Sequence, residues 1–182
     1  SSVWTRINGD GIENDLYLCN YYREWSKRDQ SNKTSAMRIQ LKELDILNEQ
    51  IEKVPNNAES IVLGDFNLDL EKFEMEGESF NLKPIGKRLE EIIVENGLSH
   101  VPFGKTRISN TKSGVTESAL DYMLISNPNL IVKIDKSDPS LSYDHKLVMA
   151  DLKMKKKTDE GIRITFRKKA KNEKDFSNHL NA

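Results

Sequence analysis

One cysteine, Cys19, stands in a chain of 182 residues. A lone thiol excludes a disulfide framework and a zinc site built from several cysteines, so no disulfide partner is expected. Long apolar runs are also lacking. No stretch approaches the ~18–20 residues that span a bilayer, so no membrane is expected among the partners. Residues 1–10 hold no apolar core of the kind a secretory signal carries. These absences lead to the expectation of an intracellular, soluble protein. The chain opens on Ser1 and runs straight into Val3-Trp4. That opening leads to the expectation of a piece of a longer polypeptide. The length itself is that of one domain able to bury a core.

The formal charge of -1 conceals two regions of opposite sign. Residues 153–175 carry ten basic side chains (Lys153, Lys155, Lys156, Lys157, Arg163, Arg167, Lys168, Lys169, Lys171 and Lys174) against four acidic ones (Asp159, Glu160, Glu173 and Asp175). That tail is +6, and residues 1–152, with 18 basic against 25 acidic, are -7. Two units are therefore expected, a folded body over 1–152 and a basic connector over 153–182. A tail of this kind is commonly a solvated linker, and contact with nucleic acid is the alternative. Phe166, Phe176 and Leu180 leave room for a helical turn or two within it.

Within the body, strand and helix signals alternate. Asp15 to Tyr22 reads as a strand from its aromatic and aliphatic alternation. Met37, Leu41, Leu44, Leu47 and Ile51 recur at three- and four-residue steps, one face of an amphipathic helix, with Thr34 or Ser35 as its N-cap and Pro55-Asn56-Asn57 ending it. Ser60 to Leu63 reads as a buried strand that stops at Gly64. A second helix runs from about Pro84 to Asn96, with Ile85, Leu89, Ile92 and Ile93 inward and Gly97 as its stop. The acidic stretch 71–81 reads as a loop. Ala119 to Ile125, Leu130 to Ile134 and Lys146 to Leu152 read as further strands, separated by turns at Asn127-Pro128-Asn129 and Asp138-Pro139-Ser140. There is no internal repeat. This order indicates an α/β or α+β domain.

Three short stretches hold the candidate chemistry. In Ile61-Val62-Leu63-Gly64-Asp65-Phe66-Asn67, a buried strand ends in a carboxylate and a carboxamide two residues apart. Strand ends of layered α/β folds are where sites are built. Asp65 can accept a proton or orient a water, and Asn67 can donate to a developing oxyanion. Both residues equally suit an ordinary strand-exit turn. In Leu120-Asp121-Tyr122-Met123-Leu124-Ile125, a carboxylate sits inside an apolar strand and so requires a partner. Tyr143-Asp144-His145 supplies one, since Asp121 can hold the His145 ring in a single tautomer. Taken singly, His145 also suits a surface turn and Asp121 a strand edge.

The order of these stretches, G-D-F-N, then L-D-Y-M-L-I-S, then D-H before an apolar strand, resembles the endonuclease/exonuclease/phosphatase (DNase-I-like) superfamily. It most resembles the apurinic/apyrimidinic-like endonuclease domain of non-LTR retrotransposon polyproteins. Asn20-Tyr21-Tyr22-Arg23 is similar to that group's tyrosine-arginine strand end, and Gly104-Lys105-Thr106-Arg107-Ile108 to its threonine-arginine element. Residues 116–126 are similar to the lead into its buried aspartate strand. The resemblance covers roughly residues 14–152. It implies a four-layer α/β/β/α sandwich and hydrolysis of a phosphodiester, with DNA as substrate. Carried over, it makes Asp65, Asn67, Asp121 and His145 catalytic. Asp65 orients or deprotonates the attacking water, Asn67 and His145 contact the phosphate, and Asp121 orients His145. Tyr22, Arg23, Thr106 and Arg107 become substrate-binding, and Asp144 with Asp65 the ligands of a divalent cation. Hard oxygen donors point to Mg²⁺ or Mn²⁺. A reverse transcriptase is expected downstream, and action on DNA implies the nucleus.

The sequence also departs from the family pattern. Glu24-Trp25 replace the two prolines usual after tyrosine-arginine, and Tyr143 replaces the serine usual before Asp-His, which alters the shape of the expected groove. The family's first strands carry an Asn and a metal-binding Glu, and nothing before Asp15 supplies them in context. The expectation is therefore a domain lacking its N-terminal third. Two other readings remain: a phosphatase or lipid phosphodiesterase of the same superfamily, and a catalytically incomplete remnant that binds nucleic acid or a partner.

Overall fold

Ile61-Val62-Leu63 and Tyr122 to Ile125 are apolar at every position, a pattern that fits strands covered on both faces. In the computed structural model of the chain, which describes residues 1–8, 14–24, 33–70, 83–111, 114–137, 144–154 and 162–166, they form the centre of a five-stranded sheet. Its strands are β1 (Ser2–Ile7), β2 (Leu16–Tyr22), β3 (Glu59–Asp65), β4 (Ser99–Pro102) and, after a hairpin, β7 (Asp121–Ile125). Their spatial order is β1-β2-β3-β7-β4. Only β2 and β3 run parallel, joined across the helix α1 (Lys33–Ile51); β1, β7 and β4 pair antiparallel to their neighbours. The second helix, α2 (Lys83–Glu95), lies between β3 and β4 in the chain.

Alternation along the strands divides the core in two. Cys19, Tyr21, Val62, Tyr122 and Leu124 point to the helices, where they meet Leu44, Leu47, Ile51, Leu89 and Ile92. Leu16, Ile61, Leu63, Met123 and Ile125 point the other way, onto Ala150 and Leu152. Those last residues belong to a second sheet of order β10-β9-β8, built from β8 (Ile131–Ser137), β9 (Leu147–Leu152) and β10 (Ile162–Phe166). Helices, sheet and sheet are thus three of the four layers expected. A separate hairpin, β5 (Arg107–Thr111) with β6 (Gly114–Ser118), stands apart from both sheets.

Several expectations need correction. The first helix starts at Lys33, so Thr34 and Ser35 lie inside its first turn rather than capping it. A strand also precedes Asp15, though it carries neither an Asn nor a Glu. β1 is an edge strand whose positions are all half-buried or exposed, so it carries no inward apolar alternation to reveal it. The strand β3 does not stop at Gly64 but continues to Asp65. The hairpin β5–β6 was missed because β6 is exposed at four of its five positions and is polar in keeping with that. Phe166 ends a strand paired with β9 rather than a helical turn, so part of the stretch read as connector joins the second sheet. Asn127 caps a short 3₁₀ turn over Pro128–Leu130 by accepting the Asn129 N–H, as the Asn-Pro-Asn sequence suggests. The loop over 71–81 and the turn at 138–140 lie outside the described residues, as do Phe176 and Leu180.

Candidate active site

Sheet register brings the chemistry together. Tyr22 pairs with Asp65 across β2 and β3, and Asp65 pairs with Asp121 across β3 and β7. Both aspartates share the parity of Leu63 and Met123, the residues directed at the second sheet. Their carboxylates therefore emerge at the end of the first sheet, in the cleft between the two. Asp65 is only 3% exposed. Its Oδ1 accepts the backbone N–H of Asn67 at 2.8 Å.

His145 reaches the same cleft from the strand entering the second sheet. The β5–β6 hairpin delivers it: Arg107 and His145 form an antiparallel bridge, and Lys146 N–H donates to the Thr106 carbonyl at 2.7 Å. Nδ1 of His145 lies 2.8 Å from Oδ2 of Asp121. One ligand atom from each of Asp65, Asp121 and His145 falls within 4.8 Å of the others. The three open onto a cavity of about 350 Å³ whose walls include Tyr22, Leu18, Met123, Phe103 and Lys146.

The turn that follows β3 is tightly built. Gly64 has φ +144°, and a Cβ there would meet the Tyr21 carbonyl oxygen at 1.9 Å. Only glycine lets β2 approach this closely. Asn67 takes the left-handed conformation, φ +47°, which Asn tolerates better than most residues. Its side-chain amide donates to the Arg23 carbonyl at 2.6 Å. Phe66 is fully buried, stacked on Tyr122 at 4.1 Å and tilted against Tyr21 at 4.9 Å. Burial pushes both tyrosine hydroxyls above their usual range and pulls the Arg23 guanidinium below its own.

The other residues singled out in the sequence are placed differently from one another. Tyr22 is 40% exposed and lines the cavity. Arg23 is 1% exposed and donates from Nε to the Phe66 carbonyl and from Nη2 to the Asn67 carbonyl. Thr106 has no exposed surface; its N–H goes to Ser118, its carbonyl accepts from Lys146, and its hydroxyl accepts the Asp121 N–H. Arg107 and Asp144 face each other at 3.3 Å, so the Asp144 carboxylate meets a guanidinium rather than the Asp65–Asp121–His145 group. Sequence reasoning passed over Gly64 and Tyr122 as site-builders. The glycine inside an apolar strand was the available signal for the first.

The residues 16–149 match the family model described as endonuclease-reverse transcriptase. This chain belongs to the endonuclease-reverse transcriptase family. Among solved structures it is similar to the endonuclease domain of TRAS1, a telomere-specific non-LTR retrotransposon, with 18% identity, a TM-score of 0.58, and coverage of 85% of this chain and 64% of that one. It also aligns with an endonuclease/exonuclease/phosphatase family protein from Leptotrichia buccalis at 16% identity and a TM-score of 0.49, covering 83% of this chain and 53% of that one. The chain thus spans less than two thirds of either structure. No curated protein matches it. The fold of this family member is the DNase-I-like α/β sandwich. Among the described residues no helix is long and apolar enough to cross a membrane.

The donor set at the strand ends suits a hard divalent cation. Two of its three members are carboxylates, the hard oxygen donors that Mg²⁺ and Mn²⁺ take. Asp65 and Asp121 would supply the oxygens, with His145 beside them.

Proposed function

We propose that this chain is part of a metal-dependent endonuclease that nicks DNA within a retrotransposon polyprotein. The convergence of Asp65, Asp121 and His145 from three separate strand ends carries this reading. A carboxylate buried to 3% exposure at a cleft floor is costly unless it is used or paired. Asp65, fixed at Oδ1 by the Asn67 N–H, orients the attacking water and takes its proton. Asp121 accepts the Nδ1–H of His145 and so turns Nε2 toward the scissile phosphate. Asn67 has a second amide N–H for a phosphoryl oxygen, and Tyr22 presents its hydroxyl from the cavity wall. Lys146 lines the same wall, its ammonium 3.8 Å from the Glu117 carboxylate. Asp65 and Asp121 would hold a divalent cation, which when bound would supply charge neutralisation at the phosphoryl oxygens. The same proposal includes a reverse transcriptase downstream in the polyprotein and nuclear DNA as the site of action.

The test is nicking of supercoiled plasmid by the full-length polypeptide that carries this chain, with Mg²⁺ and with chelator. Mg²⁺-dependent nicking that disappears in Asp65→Ala and in His145→Ala is the expected result. Nicking that survives in both variants sinks the assignment. Cleavage of a phosphomonoester or a phospholipid headgroup, with plasmid left intact, moves the substrate to the phosphatase or lipid phosphodiesterase branch of the superfamily.

A further inference from the structure

We propose that Arg23 is a positioning residue, whose buried guanidinium clasps the turn that carries Asp65 and Asn67 and acts on the phosphate only through them. The inference rests on the hydrolytic reading for its kinetic consequences, but the clasp itself is a matter of structure.

Four hydrogen bonds tie Arg23 to Asp65, the last residue of β3, and to the two residues that follow it. Its N–H donates to the Asp65 carbonyl at 2.9 Å. Its Nε donates to the Phe66 carbonyl, and its Nη2 to the Asn67 carbonyl at 2.6 Å. In return its own carbonyl accepts from the Asn67 amide at 2.6 Å. Phe66 and Asn67 lie past the last residue of β3, so their carbonyls fall outside its ladder and take their donors from Arg23. A planar guanidinium is suited to bridging two successive carbonyls, whereas an ammonium is a single point charge. The chain pays for this contact by burying a cation, a cost that the carboxylates of Glu43 and Asp65 partly offset. At 1% exposure the side chain presents no surface to a substrate. The left-handed Asn67 and the Asp65–Asn67 bond are the features held in place. Loosening the turn therefore lets the proposed general base and the proposed phosphate donor drift together.

The experiment compares wild type with Arg23→Lys and Arg23→Met. Amide hydrogen exchange, read by NMR, reports the turn without any need for activity. Exchange at the Asn67 and Arg23 amides is expected to rise about tenfold or more in both variants. The Leu63 and Met123 ladder amides are expected to stay within about threefold of wild type. In the nicking assay both variants lower kcat about tenfold or more, with KM and the salt dependence of DNA binding unchanged. Unchanged exchange at Asn67 overturns the proposal. So does a raised KM with a smaller salt slope, which is what a direct phosphate contact would give. If Arg23→Met unfolds, Arg23→Lys decides. Global unfolding of both also overturns it, because the clasp confines its effect to one turn. A wild type that does not nick DNA counts against the hydrolytic reading and leaves the exchange result to decide the clasp.

Discussion

Oδ2 of Asp121 lies 2.8 Å from Nδ1 of His145, so a carboxylate from the first sheet orients an imidazole that enters the second. His145 is 7% exposed on its side chain and Asp121 14%, which makes the bond a joint across the cleft rather than a surface ion pair. An amide in place of the carboxylate keeps the shape but offers the ring the wrong partner. Asp121→Asn is expected to lower kcat for plasmid nicking by roughly 10²-fold or more while the fold persists. The ¹⁵N shifts of the His145 ring should move with it, reporting a changed tautomer. Activity within about threefold of wild type, with the ring shifts unmoved, would reject this coupling.

Phe66 sits between Tyr21 and Tyr122 with no exposed surface, directly after Asp65. Phe66→Ala removes a ring from a packed cluster and leaves a cavity under the turn. The expected loss is about 3–5 kcal/mol in urea unfolding, with the m-value unchanged. Phe66→Leu should cost less than half of that. A loss below about 1 kcal/mol for the alanine variant would mean the cluster collapses to fill the gap.

Gly64→Ala tests the approach of β2 to β3. The new Cβ would lie 1.9 Å from the Tyr21 carbonyl oxygen, and the φ of +144° adds backbone strain. One methyl group should therefore cost more than a typical core truncation, and the Tyr22–Asp65 pairing should be the part that opens. Circular dichroism with urea unfolding provides the check. Wild-type stability in Gly64→Ala would show that the strands separate freely.

Burial pushes the Cys19 thiol from an ordinary value of 9.0 up to about 12. The folded chain then keeps a proton that the unfolded chain gives up, so stability must fall as pH climbs from about 9 toward 12. Tyr21 and Tyr122, also raised by burial, add the same sign at the alkaline end. Urea midpoints measured between pH 7.5 and 10.5 should decline above pH 9. Cys19→Ala should show a shallower decline, although its cavity lowers stability at every pH. Native Cys19 should also react far more slowly with a thiol reagent at pH 8 than a peptide thiol does. Equal rates would contradict its burial.

What the sequence disclosed depends on how deeply each element is buried. The runs Ile61–Leu63 and Tyr122–Ile125 are apolar because both faces are covered, and they were legible as strands. The helix faces of Leu44, Leu47, Leu89 and Ile92 were legible from their period. β1 and the β5–β6 hairpin carry little inward apolar surface, so their strand character comes from pairing partners that no local pattern reveals. In the site, Asp121 and His145 were legible as a pair because a carboxylate in an apolar strand demands one. The burial of Arg23 and Thr106 was not legible. Both bond mainly to backbone atoms of distant residues, Phe66 and Asn67 for one, Ser118 and Lys146 for the other. A side chain that serves backbone carbonyls has the same sequence signature as one that serves a phosphate.

The basic tail gives a prediction that the fold sharpens. β10 ends at Phe166 and belongs to the second sheet, so a deletion beginning at Lys153 would remove a strand along with the charge. Removing only residues 167–182 takes away Arg167, Lys168, Lys169, Lys171 and Lys174 and leaves β10 in place. The body is acidic, so on the nuclease reading non-specific affinity for duplex DNA draws on the basic tail, and half of its ten basic side chains lie in this segment. Each phosphate that the protein no longer neutralises flattens the plot of log K against log[salt] by about 0.9. The truncated chain should therefore bind DNA more weakly at low salt, with a slope smaller by several units. Parallel plots for the two chains would place the DNA-binding charges elsewhere, on the remaining tail residues Lys153, Lys155, Lys156, Lys157 and Arg163 or around the cleft.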